Sequence, residues 1–235
     1  MLADNTAASG SGKFVADIKP DSSIKSVVTL IENSLYEFSI KVTGHLTENE
    51  KALTSKLCIF LNNKVDSHPF RFHHEFPEDY SSGTSAQVDI GTISRFDQLI
   101  VEDRIYGEFD SFFSIEAKRL PTPGNKREKE YVIGHGKSCG GIERFKKGIH
   151  GSRLKHAAIV GYIQEHDTVY WHSQINNWID ELIIVDSKLW KLADKLIVRK
   201  SINHSKIVKL VSKNLRLIKN KSDIIKLTHF WINIT

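Results

Sequence analysis

Asp89, in "VDIG", and the pair Glu116 and Lys118, in "FFSIEAKRLP", are the residues of this sequence whose types and spacing suit chemistry on a phosphate. Across 112–121, Phe113, Ile115 and Ala117 alternate with Ser114, Glu116 and Lys118, which is the period of a strand. Glu and Lys are poor strand formers, so an acid and a base one pleat apart on an apolar strand need a reason. In "SAQVDIGTI" (85–93) Val88 and Ile90 share one face, and Gln87, Asp89 and Gly91 share the other. Glu116 and Lys118 follow Asp89 by 27 and 29 residues. If the two strands pair in a meander, Asp89 lies across from Glu116 on one sheet face. Two unit charges about 4 Å apart repel by roughly 4 kcal/mol at an effective dielectric near 20. Neutralising one of them, as in Glu116→Gln, is expected to relieve that repulsion, and a divalent cation would remove it. Oxygen-only ligands select a hard ion such as magnesium, or manganese in its place. A lysine beside the ion can orient and help deprotonate an attacking water, or stabilise charge developing on a phosphate.

The surrounding elements must hold these residues in place. The periodicity predicts a helix over 23–42, with Val27, Leu30, Ile31 and Leu35 on one stripe, and a second over 45–63. Leu46, Leu53, Leu57, Phe60 and Leu61 form the stripe of the second helix, and Glu50 falls inside it. Strands are expected at 70–76, 85–93 and 112–121, with "LIVEDRIYG" (99–107) an extra strand or an insertion. The Pro/Gly/Lys loop 121–130 ends the meander. Residues 136–149 read as helical after their glycines, "AAIVGYI" (157–163) as a buried central strand, and 171–183 as a helix. "KIVKLVSKNLRLI" fits helix or strand, and "IIKLTHFWINI" leans to strand. The order helix, three strands, helix, strand suits an α/β sandwich around a mixed sheet. The expected division is a loosely ordered segment at 1–22, one domain at 23–185, and a basic C-terminal extension at 186–235 packed on it.

Asp89 with Glu116-Ala117-Lys118 resembles the active site of the PD-(D/E)XK nuclease superfamily, over roughly residues 45–165. The triplet [DE]xK occurs three times here, beginning at Asp17, Glu116 and Asp186, but only the middle one sits in an alternating strand downstream of a strand aspartate. The resemblance implies a restriction-endonuclease-like αβββαβ core with a mixed central sheet flanked by helices. It implies that Asp89, Glu116 and Glu50 hold magnesium, that Ala117 offers its backbone carbonyl, and that Lys118 serves the nucleophile or the scissile phosphate. Val88 stands where the family often has proline. In that fold the helix of "IERFKKG" flanks the active face, so Arg144, Lys146 and Lys147 are expected to grip phosphates. The implied activity is hydrolysis of nucleic acid, DNA before RNA, in restriction or phage defence, with a homodimer or a defence-system partner compatible. A non-catalytic nucleic-acid-binding or protein-interaction module that keeps the fold is the alternative.

Composition narrows the classes. The chain has 235 residues and a net charge of +5, unevenly spread. From Asp186 onward 12 Lys/Arg face 3 Asp, hence +9; the first 185 residues carry 21 against 25, hence −4. A basic end on an acidic body is compatible with a polyanionic partner. No run of apolar residues is long enough to span a membrane, and "MLADNTAASGSGKF" lacks an apolar core, so neither an anchor nor a secretory signal is expected. Cys58 and Cys139, which form no CxxC pair, suit a reducing cytoplasm. His68, His73 and His74 have no metal-binding spacing, and "SGSGKF" lacks the first Gly and the Ser/Thr of a phosphate loop.

Overall fold

The computed structural model describes residues 22–78, 85–124, 127–136, 139–202, 205–218 and 221–235. The expected loose segment at 1–22 and "SGSGKF" therefore lie outside the described residues, Ser22 excepted. The helices are α1 (Ser22–Val42), α2 (Glu50–Asn62), α3 (Gly141–Lys146) and α4 (Thr168–Val185). The strands are β1 (Phe70–Pro77), β2 (Gln87–Ser94), β3 (Gln98–Val101), β4 (Arg104–Gly107), β5 (Ser111–Leu120), β6 (His156–Ile163), β7 (Ile197–Ile202), β8 (Ile207–Ile218) and β9 (Lys221–Asn233). A seven-stranded mixed sheet runs β1-β2-β5-β6-β9-β8-β7, and β3 and β4 form a separate hairpin inserted between β2 and β5. β5, β6 and β9 are parallel neighbours, while the outer strands pair antiparallel.

Alternation along the central strands sorts side chains into two cores. Ala158, Val160 and Tyr162 of β6 join Phe113, Ile115 and Ala117 of β5 in the core beneath α1 and α2. Ala157, Ile159 and Ile163 join Leu120 in the core beneath α3 and α4. β6 is apolar on both sides because helices cover both sides of it. α4 buries Trp171, Ile175, Trp178 and Ile179, spaced as one helical stripe. Burying each isoleucine stabilises the fold by about 1.5–3 kcal/mol relative to exposure. Ser114, Glu116 and Lys118 point to the α3 side, yet Glu116 is 1% and Lys118 6% exposed. The acid–base pair is thus largely buried, with the half-exposed Glu50 beside Lys118.

Two helices are shorter than their periodicity suggests. α2 starts at Glu50, five residues after the expected start, because Asn49 caps it: its side-chain oxygen accepts the Ala52 N–H at 2.8 Å. Leu46 consequently lies outside the helix and is exposed. α3 stops at Lys146, and Gly148 follows with φ +66°, a left-handed conformation that ends the helix and turns the chain toward His150. Residues 186–235, expected as an extension, supply three strands of the sheet, and β9 lies between β6 and β8. No helix among the described residues is long and apolar enough to cross a membrane.

Candidate active site

β5 changes partners along its length. Among the described residues its pairing with β2 ends at Ile90↔Ile115, whereas on its other edge it stays paired with β6 to Leu120↔Ile163. Beyond Ile115 the amides of Ala117 and Arg119 on the β2 side need acceptors. Two carboxylates supply them. Asp89 Oδ2 accepts the Ala117 N–H at 2.7 Å, and Glu50 Oε2 accepts the Arg119 N–H at 3.0 Å. Glu50 reaches this edge as the first residue of α2, where the helix N-terminus also favours a negative charge. Lys118 Nζ then donates to Ala117 O at 2.8 Å, Glu116 Oε1 at 2.9 Å and Glu50 Oε1 at 3.3 Å.

Glu116 is gripped from the other side as well. Arg144 Nη1 donates to its Oε1 at 3.1 Å, and His150 Nε2 lies 3.4 Å from its Oε2. His150 is 1% exposed, and its Nδ1 lies 3.6 Å from Glu78 Oε2. Glu78 is itself fixed, because Ser114 Oγ donates to it at 3.0 Å and the Gly151 N–H at 2.9 Å. Arg216 of β8 holds the same loop by donating from Nη1 to the Gly151 carbonyl at 2.7 Å. Gly151 has φ +58°, where a side chain would be strained. The site therefore draws on α2, β2, β5, α3 and the loop that follows it, with β8 behind.

The charges do not balance evenly. Burial raises the Asp89 pKa well above its ordinary value, and the Glu116 charge adds to the rise. Burial also pushes Glu116 up, but Lys118, His150 and Arg144 together outweigh it and hold Glu116 below its ordinary value. Burial pulls Lys118 down, and the charges of Glu116, Glu50 and Asp89 more than reverse that. Neutralising Glu116, expected to relieve repulsion, would instead strip Lys118 and Arg144 of a shared counter-charge, while the repulsion weighs on Asp89.

Asp89, Glu116 and Lys118 are brought together as the spacing suggested, and Glu50 and Ala117, which the resemblance added, lie with them. Arg144 also reaches the cluster, as a partner of Glu116. Lys146 does not grip phosphate: it is fully buried, with Nζ 2.7 Å from both carboxylate oxygens of Asp194, because its position on α3 faces the core under β8. Lys147 Nζ donates to Glu143 Oε1 at 2.6 Å across one helical turn. His150 and Glu78 escaped the sequence reading. The available signal was a histidine between Gly148 and Gly151, directly after an amphipathic helix.

For a hard divalent ion, the donors on offer are the carboxylates of Asp89, Glu116 and Glu50 and the Ala117 carbonyl. Glu116 Oε2 is buried with no hydrogen-bond partner among the described residues, while Glu116 Oε1, Glu50 Oε1 and the Ala117 carbonyl converge on Lys118 Nζ, and Asp89 Oδ2 and Glu50 Oε2 are taken by backbone amides. The donor set is all oxygen, as magnesium requires. Among the described residues no group of three or more His, Cys, Asp and Glu side chains is arranged so as to hold a metal ion. Comparison with family models, curated proteins and solved structures finds no match to this chain.

Proposed function

We propose that this chain is a divalent-metal-dependent nuclease of the PD-(D/E)XK type, on a restriction-endonuclease-like fold, and that it hydrolyses phosphodiester bonds, DNA before RNA, in restriction or phage defence. The observation that carries the reading is the convergence of Glu116 Oε1, Ala117 O and Glu50 Oε1 on Lys118 Nζ, with Asp89 on the adjoining amide. The order α2, β1, β2, β5, α3, β6 is consistent with the fold.

A bound magnesium ion would supply Lewis acidity and neutralise charge at the phosphate. Asp89, Glu116, Glu50 and the Ala117 carbonyl would hold it. With the ion held there, Lys118 would present its Nζ to the attacking water or the scissile phosphate. There Lys118 would act as a hydrogen-bond donor and a positive charge. Arg144 and His150 keep Glu116 ionised and oriented.

One observation favours the second reading, a non-catalytic binding module: Asp89 and Glu50 already satisfy edge amides of β5, a structural task. Incubation with plasmid, linear duplex, single-stranded DNA and RNA, in magnesium, manganese or EDTA, separates the two. Cleavage that needs metal and is lost in Lys118→Ala supports the nuclease. Binding without cleavage under every condition supports the module.

A further inference from the structure

A cleft of about 860 Å³ lies between the end of β1, the β3–β4 hairpin and the loop after His150. Phe109 and Ile105 line it and remain 64% and 65% exposed. Large apolar side chains left in solvent beside a cleft call for a ligand with an apolar face. Tyr106, half-buried, and Phe76, buried, bring the aromatic rings of the lining to three. Arg104 Nη1 donates to the Arg153 carbonyl, which ties the hairpin to the opposite wall. The acids of the lining are largely committed: Glu78 to Ser114 and Gly151, and Asp110 to the Gly107 N–H at 3.0 Å. The interior thus suits a flat, neutral heterocycle better than a phosphate, while the guanidinium groups of Arg104 and Arg153 suit the phosphates on either side of it. Glu78 also connects the cleft to the candidate active site, since His150 spans from Glu78 to Glu116 at 3.6 and 3.4 Å.

We propose that this cleft takes one unstacked base of the bound nucleic-acid strand, next to the phosphodiester that is cut, with Phe109 covering its face. The inference rests on the nuclease reading and adds to it the requirement that the strand be locally unpaired. Sites of this kind favour single strands, mismatches and ends, where unstacking costs least.

The test uses the full chain and single-stranded oligonucleotides carrying 2-aminopurine at successive positions, in EDTA and with calcium. Anisotropy reports binding, and aminopurine emission reports stacking. One position is expected to change its emission on binding. Phe109→Ala should abolish that change and weaken binding about tenfold, the scale of one lost base–aromatic stack, without altering the melting temperature. Phe96→Ala, an exposed aromatic outside the cleft, should change neither. The inference is overturned if Phe109→Ala behaves as wild type, if Phe96→Ala has the same effect, or if no oligonucleotide binds. Metal-dependent cleavage without an aminopurine response at any position overturns the cleft and leaves the nuclease. An intact aminopurine response without cleavage in magnesium or manganese overturns the nuclease and leaves a base-binding cleft.

Discussion

α3 carries two cations only two residues apart, Lys146 buried and Arg144 half-buried, and they end in different kinds of cluster. Lys146 meets Asp194 alone. Its ammonium contacts both carboxylate oxygens at 2.7 Å, Asp194 also accepts the Lys191 N–H at 2.7 Å, and the Trp190 ring centroid lies 5.0 Å from Lys146 Nζ. Arg144 instead enters a cluster with surplus carboxylates, in which Glu116 Oε2, His150 Nδ1 and Arg144 Nε are buried without a hydrogen-bond partner among the described residues. In the closed pair burial dominates, lowering the Lys146 pKa and raising that of Asp194, each toward its neutral form. In the open cluster mutual charge dominates for Lys118 and Glu116, which are held in their charged forms. A one-to-one buried pair bears its desolvation and stops there. A cluster with surplus carboxylates keeps its charge.

Substitutions can break that contrast, and the largest effect is expected at the closed pair. Lys146→Ala leaves Asp194 buried without its partner and should cost about 3–5 kcal/mol of stability by urea unfolding. Lys146→Met combined with Asp194→Leu should recover most of it. A loss below about 1 kcal/mol in the single variant would show that the pair is not an anchor. Lys118→Ala should lower metal-dependent cleavage by at least about 10²–10³-fold, the usual effect of removing one donor to the developing charge, while the chain still folds. Undiminished cleavage would sink the mechanism.

Within the open cluster the two carboxylates should respond in opposite directions. In EDTA, Glu116→Gln should melt below wild type, because Lys118 and Arg144 lose their common counter-charge. Asp89→Asn keeps an acceptor for the Ala117 N–H and removes an unfavourable charge. It should melt about 2–4 °C above wild type, the shift of ~1 kcal/mol in a chain of this size. Magnesium should then raise the wild-type melting temperature more than that of Asp89→Asn, because only the wild type keeps the full ligand set. Equal responses to magnesium would remove Asp89 from the metal site.

The smallest effect belongs to a closed network that carries no charge. His229 is fully buried, with Nδ1 2.9 Å from Tyr131 Oη and Nε2 2.9 Å from Ser212 Oγ. Burial lowers its pKa from 6.5 to about 3. Above the unfolded value both states are neutral; below it only the unfolded chain takes up the proton. Stability should therefore fall as pH drops below about 6.5, by about 1 kcal/mol between pH 6 and 5, and His229→Gln should flatten that slope. A proton taken up by His229 in the folded state near pH 6, seen by NMR titration, would contradict this.

Much of the site could be read from local pattern, because strand alternation is a property of the chain itself. The period of two in 112–121 put Glu116 and Lys118 on one face, and α1, β6 and α4 followed from their apolar spacing. β8 could not be read that way. Its buried face carries Ser212, Asn214 and Arg216 beside Val208 and Leu210, while Leu217 is exposed, so polarity does not mark the inside. Only packing reveals that Asn214 and Ser212 join the His229 network and that Arg216 braces the loop of His150. The residue types within "IERFKKG" likewise do not tell Lys146 from Arg144. The turn of α3 does, by setting one cation against Asp194 and the other against Glu116. The end of β2–β5 pairing at Ile115 is tertiary in the same sense. Sequence alone determined which acids and bases share a strand face. Where an edge opens, and which distant carboxylates close it, depends on contacts between residues far apart in the chain, such as Glu50 with Arg119 and Glu78 with Gly151.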